Sequence, residues 1–387
     1  MKSAFSNELA TRKALADFIL QSPRLSMDMK CMEFEQAFAK RQKMADAVLF
    51  NSGGSANLAM LQALLNLGRL KRGDKVGFSA VTWSTNVMPI LQLGLSPVPL
   101  DCDPLTLNTM SSHVSAAIRS HGLKAVFITN VLGFAGDLDQ IRKTCREGGA
   151  VLLEDNCEAL GTELPAGATG TFGLASSHSF FVAHHMSTIE GGMVLTSDEE
   201  LAEMLRIVRA NGWDRNLSSD RQLKWRRRFK IPDEFQGKYA FYDLGYNLRP
   251  TEITGFLGLL QLPALDAMIR AREANYLRLE KIVAANPDLF TLKHDHITLL
   301  SNFAFPVLCK TPELREKYIL QLSGAGVEIR PMIAGNLARQ PFFKKYVSES
   351  FELPGADLVH FNGVYFGNYP ELTANDLEIL SSALSHY

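Results

Sequence analysis

The chain has 387 residues, of which 46% are hydrophobic and 21% charged, and its formal net charge is -1. That length accommodates one large domain with a sizeable core and a smaller one beside it. So small a net charge gives no long-range field toward nucleic acid or an acidic membrane surface, and neither is an expected partner.

Glu8, Arg12, Lys13 and Asp17 interrupt the first twenty residues, which therefore lack the apolar core of a signal peptide. No apolar run is expected to approach the roughly 18–20 residues of a membrane span. The cysteines Cys31, Cys102, Cys145, Cys157 and Cys309 are odd in number and widely spaced. They predict neither a disulfide framework nor a zinc site, but reduced thiols in a cytoplasmic protein.

Along the chain, strand-like apolar runs alternate with stretches of helical periodicity. EFEQAFAKRQ (33–42) predicts a helix, AVLF (47–50) a strand and SANLAMLQALLNLG (55–68) a helix. KVGFS (75–79), SPVPLD (96–101), AVFITNVLG (125–133) and AVLLED (150–155) predict strands, with the helical DLDQIRKTCREGG (137–149) before the last. Such alternation implies a mostly parallel sheet with helices on both faces, and ligands beyond the carboxyl ends of the strands. The texture changes near residue 250. A long helical stretch (251–286) ends at Pro287, and strand-like HITLLSNFAFPVLC (296–309) and GVEIRPM (326–332) follow. This predicts a large domain over 1–255 and a smaller α+β domain over 256–387. The basic run Lys224–Lys230 reads as a solvated loop or as a contact for a diphosphate group.

Three segments carry candidate chemistry. Asn51-Ser52-Gly53-Gly54-Ser55-Ala56-Asn57 joins a strand to a helix, where backbone N–H groups and the helix dipole favour an anion; a plain capped turn fits equally. Asp155 ends an apolar strand in Glu154-Asp155-Asn156-Cys157-Glu158. A carboxylate there can hold a cofactor's ring nitrogen protonated or merely cap the next turn. The third segment runs from Ser176 through Ser179 and the adjacent His184 and His185 to Glu190-Gly191-Gly192. No Asp, Glu or Cys at helical spacing completes a metal site with the histidines.

Together these segments resemble the pyridoxal-phosphate sugar aminotransferase and dehydratase family (DegT/DnrJ/EryC1/StrS type) on the aspartate aminotransferase fold. VTWSTNVMPI (81–90), GYNLRPTEITGFLGLLQL (245–262), GVEIRPMIAGNLARQP (326–341) and FNGVYFGNYP (361–370) extend the resemblance over nearly the whole chain. It implies a seven-stranded, mostly parallel sheet in the large domain. It also implies pyridoxal 5'-phosphate or its pyridoxamine form as cofactor. In the family, the fifth residue after the serine of the Ser-Phe strand is the lysine that binds the cofactor covalently. Here that position is His184, and no lysine occurs between Lys143 and Lys224. Imidazole cannot form the stable imine, but it can move protons near neutral pH.

The sugar-nucleotide 3-dehydratase branch shares this exchange. It implies GDP-4-keto-6-deoxy-D-mannose as substrate, L-glutamate as amino donor, ammonia release and a place in colitose biosynthesis. The cofactor would be held without a covalent bond, and His184 would be the catalytic base. A second histidine-bearing branch uses a CDP-sugar and an iron–sulfur cluster, which needs about four cysteines. Only Cys309 lies in the last third of this chain, so no cluster is expected. The resemblance further places Gly54, Ser55 and Ser179 at the phosphate, Asp155 at the ring nitrogen, Glu158 near the ring hydroxyl and Trp83 on the ring face. Asn247 would reach the phosphate from a neighbouring subunit, implying a homodimer. His185, Arg215, Arg249 and Arg330 are candidate substrate contacts. Core packing for Trp83, surface exposure for Glu158 and a salt bridge for Arg330 are the competing readings. The rivals are a related NDP-4-keto-6-deoxyhexose 3-dehydratase, a sugar aminotransferase using a displaced lysine (Lys224 or Lys230), and a cofactor-binding regulator without catalysis.

Overall fold

The computed structural model describes residues 4–231 and 234–386. Residues 1–3, 232–233 and 387, which fall inside the two expected domain ranges, lie outside the described residues. Nine strands belong to the first part of the chain: β1 (Asp46–Phe50), β2 (Lys75–Ser79), β3 (Ser96–Leu100), β4 (Ala125–Thr129), β5 (Val151–Asp155), β6 (Glu163–Leu164), β7 (Gly167–Ala168), β8 (Ala175–Ser179) and β9 (Gly192–Thr196). Seven of them form one sheet in the order β1-β9-β8-β5-β4-β2-β3. Only β9 runs against the rest, pairing antiparallel with both β1 and β8. The expected mostly parallel, seven-stranded sheet is therefore present.

Both faces of this sheet are covered, which is why its strands read as continuous apolar runs. Val48, Phe50, Phe78, Phe127 and Leu153 pack with Ala56, Met60 and Leu64 of the helix Gly53–Asn66 on one side. Leu49, Met193 and Leu195 meet Phe34 and Phe38 of the helix Met29–Gln42 on the other. Alternation along β5 then has a functional consequence: Leu153 and Asp155 share the face of the Gly53–Asn66 helix, and Glu154 points the opposite way. Glu154 is fully buried and accepts backbone N–H bonds from Gly170 (2.8 Å), Phe172 (2.7 Å) and Gly173 (2.8 Å). It organises the connection into β8 and leaves Asp155 alone at the open end of the strand.

A second, four-stranded antiparallel sheet lies in the last third of the chain, with β10 (Leu289–Phe290), β11 (Ala304–Cys309), β12 (Ile329–Pro331) and β13 (Gly363–Gly367) in the order β10-β11-β13-β12. Phe305, Val307, Val364 and Phe366 build its core with Tyr318 and Leu322. The expected division at 255/256 falls inside the helix Glu252–Gln261. Gly255 and Gly258 of that helix lie against Cys31 and Phe34 of the large unit, where a side chain at either would clash. The continuing helix, Leu265–Ala285, delivers Tyr276, Leu279 and Val283 to the C-terminal core.

Two sequence expectations need correction. The stretch Glu252–Ala285 is long and apolar enough to pass a test for a membrane span by length and composition. Half of its most apolar window is buried inside the protein, as in a core helix. The basic run is not a loop: residues Ser219–Arg228 form a helix, anchored by buried Trp225, whose indole donates to Glu203 at 2.8 Å. A single buried anchor in ten residues, with arginines around it, leaves too weak a period to separate helix from loop in sequence.

Candidate active site

The site is assembled at the carboxyl end of the large sheet. β1 leads into a tight turn in which Ser52 caps the helix Gly53–Asn66, its hydroxyl accepting the Ser55 N–H at 3.1 Å. The capped turn and the anion cradle are thus one object. Gly192 of β9 packs so closely on the Ser52 carbonyl that any side chain there would clash, which fixes the turn against the sheet. Gly53 faces Ser179 and Cys157: a Cβ on it would lie 2.9 Å from the Ser179 Cβ and 3.2 Å from the Cys157 sulfur. Gly54 faces Thr85 equally tightly, at 3.0 Å. The turn, the end of β8 and the loop after β2 therefore converge around the first N–H groups of a long helix, a favourable setting for a phosphate.

Asp155 is the centre of this cluster and is 3% exposed. Its Oδ2 accepts from the amides of Asn57 (2.9 Å) and Asn86 (2.8 Å), and its Oδ1 accepts the Cys157 N–H at 2.9 Å. Capping of the next turn and presentation of a carboxylate are both realised. Asn57 and Asn86 were not assigned a role from sequence. Their signal was an amide inside an otherwise apolar helix and inside a buried turn, a pattern that demands a buried partner.

Glu158 is not a surface carboxylate; it is 7% exposed and accepts the Leu132 N–H at 3.0 Å. Burial and, more weakly, the charge of Asp155 push its carboxyl up to about 8, against the pull of the Leu132 N–H. Tyr365 of β13 stands near enough that the Glu158 charge helps push its phenol up to about 12, after burial. Because the Glu158 carboxyl is raised by folding, the stability tied to its protonated form is complete below the unfolded-chain value of 4.5 and is lost as pH rises through about 8. In the ligand-free protein, Glu158→Gln is therefore expected to raise the melting temperature relative to the native chain at pH 9 by about 2 °C or more than it does at pH 6. Equal shifts at the two pH values would contradict the assignment.

The two histidines diverge. His184 is half-buried in the turn between β8 and β9, its ring between Phe181 (5.9 Å) and Phe303 (5.1 Å). Burial pulls its imidazole down to about 4, while the Asp155 carboxylate and the Ser179 backbone favour the charged form. His185, expected at the substrate, is 1% exposed and its Nε2 meets the Ser301 carbonyl at 3.0 Å. Its ring packs at 5.8 Å on Phe303, the same ring that His184 meets, but it is closed off from solvent where His184 is not. Trp83 is 55% exposed and lies just before the turn that carries Thr85 and Asn86, so it is no core residue.

The remaining candidates lie elsewhere. Arg330 stands opposite Tyr365 in the β12–β13 pair and is ion-paired with Glu328, so the salt-bridge reading is realised on the side of the small sheet that faces Glu158. Arg215, Asn247 and Arg249 line a separate cavity of about 970 Å³, together with Arg24, Arg206 and Arg221. Asn247 accepts from Arg249 Nε there at 3.0 Å.

The cluster fits pyridoxal phosphate on the structure's own terms. Its members Asn57 Oδ1, Asn86 Oδ1, Ser177 Oγ and His184 Nδ1 are buried polar atoms without a partner in the protein. The glycines bring the backbone of the turn directly against Ser179, Cys157 and Thr85, beside the first N–H groups of the helix. Among the described residues there is no group of three or more His, Cys, Asp or Glu side chains arranged for a metal ion.

Comparisons with known proteins agree. The model of the DegT/DnrJ/EryC1/StrS aminotransferase family matches residues 8–385. A GDP-4-keto-6-deoxy-D-mannose 3-dehydratase of Yersinia pseudotuberculosis is 33% identical over 91% of this chain and 89% of its own length. One from Escherichia coli O55:H7 is 32% identical over 95% and 94%. A crystal structure of GDP-4-keto-6-deoxymannose-3-dehydratase with a trapped PLP-glutamate geminal diamine superposes with a TM-score of 0.90 at 31% identity, covering 99% of both chains.

Proposed function

The chain belongs to the DegT/DnrJ/EryC1/StrS aminotransferase family, and from that premise we propose that it is a pyridoxal-phosphate-dependent 3-dehydratase of GDP-4-keto-6-deoxy-D-mannose. The observation that carries this reading is His184, a half-buried imidazole at the position of the family's covalent lysine, electrostatically coupled to Asp155. L-Glutamate donates the amine and leaves as its 2-oxo acid; the sugar loses its C-3 hydroxyl, and ammonia and GDP-4-keto-3,6-dideoxy-D-mannose are released. The product belongs to colitose formation for the O-antigen.

When bound, the cofactor in its amine form supplies a nitrogen for the sugar's 4-keto carbon and a ring that accepts electrons. The protein does the rest. Gly54 and Ser55 N–H groups with the Ser179 hydroxyl hold the phosphate at the positive end of the helix dipole. Asp155, oriented by Asn57 and Asn86, keeps the ring nitrogen protonated. Glu158, its carboxyl pushed up to about 8 by burial, would meet the ring hydroxyl in protonated form, and Trp83 would lie over the ring. His184, neutral at pH 7, would be the group that accepts a proton at the reacting carbon and supplies one to the sugar's departing C-3 hydroxyl. Having no amine, His184 would supply no lysine-type nitrogen to return the amine to the sugar, which favours loss of that nitrogen as ammonia.

Arg215, Asn247 and Arg249 have no role at the Asp155 cluster of their own chain. We assign them to the site of a second copy, in a homodimer whose active sites are shared across a two-fold axis. The five free cysteines, four of them buried, support a reducing, cytoplasmic setting. Incubation with pyridoxal phosphate, L-glutamate and GDP-4-keto-6-deoxymannose tests the reading. Ammonia and a 3-deoxy sugar are expected; a 4-amino sugar would identify an aminotransferase instead.

A further inference from the structure

The helix Leu265–Ala285 buries a stripe formed by Leu265, Ile269, Arg272, Tyr276, Leu279 and Val283. One of these six is a cation. Arg272 is 5% exposed and, among the described residues, has no carboxylate within ion-pair distance, although the charge of Glu371 nearby favours its charged form. Its Nη1 donates to the His185 carbonyl at 3.1 Å and its Nε to the Asn368 carbonyl at 3.2 Å. Burial pulls even this guanidinium down to about 10. Removing a guanidinium from water costs several kcal/mol, and an apolar residue in the stripe would avoid that cost. Packing alone therefore gives no reason for an arginine here.

What it grips supplies one. The His185 carbonyl belongs to the peptide joining His185 to Met186, one residue beyond His184, and Asn368 directly follows β13. Asn368 in turn donates through Nδ2 to the Arg272 carbonyl (2.9 Å) and to Asn302 Oδ1 (3.0 Å). His185 Nε2 closes the set on Ser301, and Phe303, two residues on, packs on the His184 ring. The turn bearing His184 is thus held from behind by Arg272 of the long helix, which also grips Asn368, and by Ser301 and Phe303 of the segment entering β11. We propose that Arg272 is a positioning residue for His184: by fixing the His185 carbonyl it sets the direction in which the neighbouring imidazole faces Asp155. Its positive charge also acts with burial to hold that imidazole neutral, the form a proton acceptor needs.

The kinetic arm of the test rests on the dehydratase reading; a spectroscopic arm does not. In cofactor-free protein labelled with 15N-histidine, the ring signals of His184 are identified by their loss in His184→Asn. Arg272→Met is expected to shift those signals, and Arg272→Lys, which keeps the charge but not the two-pronged grip, to shift them less. In the loaded enzyme, Arg272→Met should lower kcat for ammonia release about tenfold or more while KM for the sugar nucleotide changes less than about threefold. Unmoved His184 signals, or an unchanged kcat, would overturn the proposal. If the methionine variant does not fold, Arg272→Lys is measured against the native chain by the same two readouts and the same criteria. A native protein that released no ammonia would refute the dehydratase reading, while the histidine signals would still decide the role of Arg272.

Discussion

Replacing His184 with asparagine is expected to leave a folded protein that still binds cofactor and sugar nucleotide but releases ammonia about 10²–10⁴-fold more slowly, the usual contribution of a positioned acid or base. The size follows from how little else at the site can do the work. No lysine occurs between Lys143 and Lys224. His185 is committed to Ser301. The Cys157 thiol is pushed well above its ordinary value, by burial first and then by the charge of Asp155, so it carries no thiolate at neutral pH. Asp155 already accepts three hydrogen bonds from the protein, two on Oδ2 and one on Oδ1, which hold it as the partner of the ring nitrogen. Only His184 combines partial exposure, a buried Nδ1 without a partner and a neutral imidazole. Asparagine retains comparable volume and polarity, so the ring contacts with Phe181 and Phe303 are weakened without opening a large cavity. Ammonia release followed in steady state, with the absorbance of bound cofactor as the control for binding, checks the result. Undiminished turnover would remove His184 from the chemistry.

The same residues show what a sequence discloses about such a site. The large sheet was legible because strands buried on both faces are continuous apolar runs, and Asp155 was legible because a carboxylate closes one of them. The missing lysine was legible as a plain exchange at one position. The direction of a side chain in a turn was not: His184 and His185 are identical neighbours that both pack on Phe303, and only burial and the Ser301 carbonyl on His185 set them apart. Arg272 illustrates the converse. Its spacing with Ile269 and Tyr276 puts it on a buried stripe, yet a helix rich in arginine reads naturally as a solvated face. Asn57 and Asn86 were likewise hidden, because an amide on an apolar helix face reveals its purpose only once its acceptor is in place. Arg215, Asn247 and Arg249 collect in a cavity apart from Asp155, an arrangement that becomes intelligible when two copies are considered together.

Asp155→Asn is expected to impair turnover by roughly two orders of magnitude and to weaken cofactor retention, more than its near-identical shape suggests. A hydrogen bond to a charged group contributes about 1.5–3 kcal/mol, and each 1.4 kcal/mol is a factor of ten. The loss does not stop at the ring nitrogen. Both oxygens of Asp155 are surrounded by donors: two side-chain amides at 2.9 and 2.8 Å on Oδ2 and the Cys157 N–H at 2.9 Å on Oδ1. The amide nitrogen of asparagine accepts nothing, so in either orientation it opposes at least one of these N–H groups. One orientation deserts the Cys157 N–H; the other deserts both Asn57 and Asn86 and loosens the helix Gly53–Asn66 that presents the phosphate turn. Burial makes each deserted donor cost about 1–3 kcal/mol. The expected signature is therefore double, a fall in kcat together with a fall in melting temperature and in cofactor affinity. The Asn57→Ala variant should reproduce the loss of affinity with a smaller loss of kcat, since Asn86 and Cys157 still orient the carboxylate. Cofactor titration by absorbance, beside the ammonia assay, separates the two effects. Full activity in Asp155→Asn would show that the ring nitrogen needs no charged partner in this protein.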